Sequence, residues 1–188
     1  MRRIHRPERR PGAQALGAVV TGPVVEPLTI PEHPTPGVNL AGFLEGELGL
    51  GEVARKLGRG LEHAGIPFVA IPYRRTHSRQ EHPLELAVAE AAPYDTNLIC
   101  LNPDYLHQFT ADVGVGFFAG RYSIGVWFWE TSVFRPENLT GLRFLDEIWV
   151  ASEYVRQSVA SKADIPVHVV TLPIEEPPKA ELSRSDVG

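Results

Sequence analysis

The sequence predicts an α/β fold in which helices sandwich a parallel sheet. Three observations carry that expectation. Short apolar runs bounded by turn residues alternate with segments of helical spacing. Several runs, "NLICL" above all, are apolar on both faces, as a strand covered from both sides must be. The first run also hands over to the first helix through "GELGLGE", residues 46 to 52, with three glycines in seven positions. Open parallel sheets bind ligands at that kind of junction, outside the carboxyl ends of their strands.

The elements follow in order. Residues 1–36 alternate Arg, Pro, Gly and short apolar pieces, and "GPVVEPLTIPEHPTPG" places proline too often for a helix or a central strand. This is read as a disordered or extended leader. "GVNLAGFL" is the first strand. Leu50, Val53, Leu57, Leu61 and Ala64 recur at three- and four-residue steps, predicting a helix over 52–64 that Gly65 ends. "IPFVAIPY" is the second strand, "HPLELAVAEAA" a short helix and "TNLICLN" the third strand. "PDYLHQFTADVG" is a helix opened by Pro103. "RYSIGVWFW" and "DEIWVAS" are the fourth and fifth strands. Ser152 caps the helix "EYVRQSVASKA", with Glu153 well placed in its first turn, and "VHVVTLP" is the sixth strand. The tail is polar. The expected organisation is a leader at 1–36, one folded domain at 37–175 and a linker at 176–188.

Charge and composition narrow the function. The first ten residues hold five of the 18 Lys and Arg and one of the 23 Asp and Glu, so the remainder is strongly acidic. An acidic body is a poor nucleic-acid binder, because phosphate contacts need clustered basic groups. A solvated basic tip is the default reading of the start, with RNA or anionic lipid as the alternative. The single cysteine, Cys100, excludes an intrachain disulfide and a cysteine zinc site. It sits in an apolar run and reads as a small buried hydrophobe. The seven histidines show no metal-ligand spacing, and no metal is expected. No stretch approaches the roughly 20 apolar residues of a membrane span. The expected location is cytoplasmic, with peripheral membrane contact left open.

The glycine junction and two other stretches could carry chemistry. Glycine at 46, 49 and 51 lets a backbone approach a ligand closely and adopt positive φ, and the helix that follows offers free N–H groups to an anion. The alternative is a tight turn with no ligand. The spacing is G-x-x-G-x-G, not the dinucleotide fingerprint, and no Walker A motif is present. Arg74 and Arg75 follow the second strand, where an acidic residue would meet a ribose, so an NADP-binding domain is a minor alternative. In "GVWFWETSVF", Trp127 is expected in the core. Trp129 and Glu130 fall near the strand's carboxyl end, where an aromatic face beside a carboxylate suits a sugar ring. A core aromatic and a capping acid would look the same. Asn102 and Ser152 end strands three and five and read equally as helix caps.

Taken together, "GVNLAGFLEGELGLGEVARKLGRGLEHAGIP", "NLICLNPDYL", "FFAGRYSIGVWFWETSVFRPE" and "LDEIWVASEYVRQSVA" resemble the N-terminal half of GT-B glycosyltransferases of the family 4 type. The resemblance spans roughly residues 37 to 175. It implies one half of a GT-B fold, whose two Rossmann-like domains face each other across a cleft. The N-terminal domain of that family mainly holds the acceptor; the C-terminal domain mainly holds a nucleotide-sugar donor, usually through an E-x₇-E motif. It further implies a retaining, metal-independent hexosyltransferase with no cofactor beyond the nucleotide-sugar co-substrate, acting on a glycan or a lipid-linked acceptor. Gly49, Leu50 and Gly51 would then face the donor phosphates. Glu47, Asn102, Trp129 and Glu130 would line the acceptor side, and Ser152 would cap a helix near the cleft. The sequence departs from the pattern in two places. The E-x₇-E motif is missing, so the donor-binding domain would have to be supplied in cis or in trans, and the chain alone is expected to be inactive. The family's "WELERFP"-like run reads "WETSVFRP" here. The competing reading is a non-catalytic carbohydrate-binding or interaction module of the same fold.

Overall fold

The computed structural model describes residues 24–174. Within them, six strands form a single all-parallel sheet: β1 (Thr35–Gly42), β2 (Phe68–Pro72), β3 (Tyr94–Cys100), β4 (Tyr122–Trp127), β5 (Glu147–Val150) and β6 (Val167–Val169). Three α-helices join them: α1 (Gly49–His63), α2 (Pro103–Val113) and α3 (Glu153–Ala160). A 3-10 segment, Pro136–Phe144, takes the place of a helix between β4 and β5. The sheet order is β2-β1-β3-β4-β5-β6. This is the Rossmann-like sandwich that the alternating pattern predicts.

The order fixes which face each helix covers. From β3 to β6 the chain advances in one direction, so right-handed crossovers place α2, the 3-10 segment and α3 on one face. The step from β1 to β2 runs the other way and places α1 opposite. Strand residues alternate accordingly between two cores. Ala41, Ile99, Trp127, Ile148 and Val150 pack with Leu106, Phe109, Val155 and Val159. Leu40, Leu98, Cys100, Ile124 and Val126 pack with Ala54, Leu57 and Leu86. Trp127 is fully buried and stacks on Phe134 with ring centres 5.7 Å apart. Cys100 is buried as expected, and burial pushes its thiol up to about 12. On the α1 face, a groove of about 310 Å³ between Leu57, Leu61, Leu98, Ile124 and Trp149 is roofed at one end by Pro173.

Polar residues pin the register. Asn39, Asn97 and Ser123 sit opposite one another on β1, β3 and β4, and all three are buried. Asn39 Nδ2 donates to Asn97 Oδ1 and to the Tyr94 carbonyl, both at 2.9 Å. Asn97 Nδ2 donates to Ser123 Oγ at 3.1 Å and to the Phe117 carbonyl at 3.0 Å. Each amide is satisfied, so a one-residue slip of any strand would strand several buried polar atoms at once.

Two segments differ from expectation. The helix expected over "HPLELAVAEAA" does not form. Instead Leu86 buries against Gly58 of α1, and the residues after it run along the free edge of β2. There Ala70 N donates to the Ala87 carbonyl at 2.9 Å, and Val88 bridges Ala70. An unpaired sheet edge outbids a weak helical preference between Pro83 and Pro93. The second segment is the end of the expected leader. Residues 24–34 are extended but tied down: Thr29 bridges Ala91, and Arg74 N donates to the Val24 carbonyl. The buried Arg121 reaches the Pro31, Ala92, Tyr94 and Ala119 carbonyls. Val24, Val25, Leu28 and Ile30 pack on the core. The expectations for residues 1–23 and for the linker at 176–188 lie outside the described residues.

Candidate functional site

Because every strand runs the same way, the loops after β1, β3, β4 and β5 share one edge of the sheet. The chain reverses its winding direction between β1 and β3, which are neighbours. In open parallel sheets such a switch point carries the ligand crevice; here it is flanked by the loop after β1, residues 43–48, whose buried Phe43 packs edge-on against Tyr105 of α2 with ring centres 5.0 Å apart, and by Asn102 after β3. Trp129 and Glu130 follow β4, the next strand over, and Ser152 follows β5. The residues singled out from sequence therefore stand in a row along the carboxyl edge.

The glycine junction is held from within. Arg55, 5% exposed, donates from Nη1 to the Leu44 and Gly46 carbonyls at 2.9 and 3.1 Å. Its Nη2 meets the Glu52 carboxylate at 3.1 Å. Burial alone would raise the Glu52 pKa, but the Arg55 hydrogen bond and the charges of Arg55, Lys56 and Arg59 hold it below the usual range. Glu45 pairs with Arg74 at 2.7 Å, and Glu47, which is exposed, pairs with Arg79 at 2.6 Å.

Positive φ plays no part in this loop: among the described residues it occurs at Gly37, Gly65, Gly114 and Gly120, none of them here. Gly51 is needed for close approach instead, since a Cβ there would lie 2.4 Å from the Gly46 oxygen and 2.5 Å from the Phe43 oxygen. Gly49 faces open space. Leu50, half-buried, packs against the core, and its carbonyl accepts from the Cys100 thiol at 3.6 Å. Helix α1 begins after Leu48 with no side-chain cap, so that residue supplies no acceptor to the first-turn N–H groups. An anion could be held there by those groups and the helix dipole.

Asn102 departs from its expected role. It stands at the N-cap of α2 but makes no side-chain cap. Its Oδ1 accepts instead from the Phe128 backbone N–H at 2.8 Å. Ser152 does cap its helix, with Oγ accepting from Val155 N at 3.3 Å.

The turn after β4 closes on itself. Trp129 Nε1 and Thr131 Oγ1 both donate to the Val133 carbonyl at 3.1 Å. Trp129 is half-buried, edge-on to Phe134 with ring centres 5.2 Å apart. Glu130 is exposed, and among the described residues its carboxylate has no partner. Ser158 of α3 donates to the Thr131 carbonyl at 3.1 Å. Tyr154 lies one helical turn before Ser158 and so on the same side of α3. It is 55% exposed. Sequence reading passed over Tyr154 because an exposed tyrosine on a helix carries no signal until Ser158 shows which way that side of α3 faces.

The arginines that end β2 are both engaged. Arg74 bridges Glu45 and Glu26, each at 2.7 Å, and Arg75 holds Asp112 at 3.0 Å. An incoming 2′-phosphate would have to displace those carboxylates. Among the described residues, no three His, Cys, Asp or Glu side chains gather as metal ligands would, and no helix is long and apolar enough to cross a membrane.

No protein-family model, curated protein or solved structure matches the chain. The geometry alone therefore sets what the edge can do. It offers an uncapped helix start for an anion and, two strands away, half-exposed aromatic surface beside a free carboxylate for a polyhydroxylated ring.

Proposed function

We propose that this chain is the acceptor-side domain of a retaining, metal-independent GT-B glycosyltransferase of the family 4 type. The supporting observation is the pairing at the switch-point edge of the uncapped α1 start with the Trp129–Glu130 turn. In this reading a sugar acceptor lies on the Trp129 face, and Glu130 accepts hydrogen bonds from its hydroxyls. The first turn of α1, at Gly49, Leu50 and Gly51, faces the donor phosphates. A second, donor-binding domain closes the cleft and brings the nucleotide sugar and most of the positive charge that the leaving phosphate needs. This chain contributes positioning, the larger part of what such a transfer asks of an acceptor domain. The acceptor is a glycan or a lipid-linked sugar, and the work is done at the cytoplasmic side.

The test is reconstitution. The full chain, alone and mixed with a donor-side GT-B domain, is incubated with nucleotide sugars and methyl hexosides, and glycosyl transfer is measured. The reading expects transfer only in the mixture. Hexoside binding with no transfer in any mixture would replace it with the non-catalytic carbohydrate-binding module.

A further inference from the structure

An asparagine that opens a helix ordinarily turns its side chain back to accept from the helix's own second or third N–H, a cap that stabilises the helix start. Ser152 does so for α3. Asn102, in the same place on α2, forgoes that bond. Its backbone carbonyl still accepts from Tyr105 N at 3.0 Å and from Leu106 N at 3.3 Å, while its side-chain oxygen crosses to the next strand and takes the Phe128 N–H. That N–H lies at the first residue past the β4 ladder, where the pairing of β3 with β4 has ended at Ile99 and Gly125. Asn102 is the partner that holds it.

The turn that starts at Phe128 has three moorings. Asn102 holds its beginning, Ser158 holds Thr131 in the middle, and Phe134 is buried at its end, 1% exposed and stacked on Trp127. Between the first two stand Trp129 and Glu130. Trp129 is tied further along the turn, through Nε1 to the Val133 carbonyl and edge-on to Phe134, while at the strand end Asn102 holds the backbone of the residue from which Trp129 and Glu130 leave the sheet.

We propose that Asn102 is a positioning residue, and that its side-chain carbonyl, by fixing the Phe128 N–H, aims the Trp129–Glu130 turn at the crevice. It acts through the loop and not by touching a ligand. The functional part of this inference rests on the acceptor-side reading above; the latch itself does not.

The experiment uses the full chain with Asn102→Ala and Asn102→Asp. The aspartate keeps an acceptor oxygen for Phe128 N–H but loses the amide's donor, so it separates latching from ligand contact. Amide hydrogen exchange at Phe128 and acrylamide quenching of Trp129, in a Trp149→Phe background, read the latch without any ligand. Titration with methyl hexosides reads its consequence.

Asn102→Ala should speed Phe128 exchange at least tenfold and raise Trp129 quenching while the exchange of β1 and β3 amides stays unchanged. Asn102→Asp should restore both. Hexoside affinity should fall with alanine and return with aspartate. The proposal is overturned if alanine leaves Phe128 and Trp129 unchanged. It is equally overturned if aspartate restores Phe128 protection but not hexoside affinity, since Asn102 would then be contacting the sugar. If the latch behaves as expected but no variant, and not the parent, binds hexosides, the acceptor-side reading fails and the latch stands.

Discussion

Glycines 49 and 51 look alike in sequence and do different work. Gly51 lets the first turn of α1 press against the Phe43 and Gly46 carbonyls, backbone atoms that cannot swing aside. Gly51→Ala should cost about 1–3 kcal/mol by overpacking. Gly49→Ala meets open space and should be neutral or stabilise by up to about 1 kcal/mol, because alanine favours a helix start more than glycine does. Denaturant midpoints of the two variants check the contrast.

Asp112 provides a titratable counterpart. Burial alone would raise its pKa, but hydrogen bonds from Arg75, Tyr73 and Gln108, with the Arg75 charge, bring it below the ordinary carboxylate value. Tyr73 is driven the other way, upwards, by burial and by donating to Asp112 at 2.8 Å. A carboxyl depressed in the folded state stabilises the fold fully above its unfolded pKa of about 4, and that contribution is lost as pH falls through the lower folded value. Asp112→Asn should therefore lower stability at neutral pH and flatten the acid limb of the stability curve below about pH 4. Arg75 is half-exposed, so solvent screens the pair and the neutral-pH loss should be small. At this scale the sequence announced the glycines and Ser152 as special. It could not announce the Tyr73–Asp112–Arg75 group, whose members meet only when α2 lies across the end of β2.

At the scale of elements, the all-apolar runs and helical spacings located every strand and the three α-helices. Two contacts decided what they could not. The segment before β3 reads as helix by composition, yet the open edge of β2 gives its backbone a partner. The leader's last part reads as a disordered or extended segment with no partner, yet the Arg74 and Arg121 guanidiniums collect its carboxylate and a carbonyl. Both depend on surfaces built by distant residues, so local pattern is silent about them.

The Asn39–Asn97–Ser123 ladder is the element-level feature most open to test. Asn97→Leu strips partners from Asn39, Ser123 and the Phe117 carbonyl in a dry core and should cost roughly 2–4 kcal/mol. The double variant Asn39→Leu with Asn97→Leu should cost less than the sum of the singles, because fewer buried groups are left unmatched. Thermal unfolding of the three variants reads the coupling.

For the whole molecule, a parallel sheet gathers the strand-end loops on one edge whatever their sequence, and the reversal between β1 and β3 opens that edge beside the glycine junction. The row of candidate residues was thus legible once the strands were placed. The path of Asn102's side chain was not, because capping and cross-strand latching draw on the same residue type at the same position. Grooves of about 310 and 510 Å³ lie along α1, away from Trp129.

The central claim is that a sugar ring sits on Trp129 beside Glu130. The most direct measurement follows the three indole N–H signals of the ¹⁵N-labelled full chain during titration with methyl hexosides. The account predicts a saturable shift of the Trp129 signal, lost in Glu130→Ala, with Trp127 unmoved in the core. A titration that leaves Trp129 unmoved at tens of millimolar, or that moves only Trp149 in the α1 groove, would contradict it.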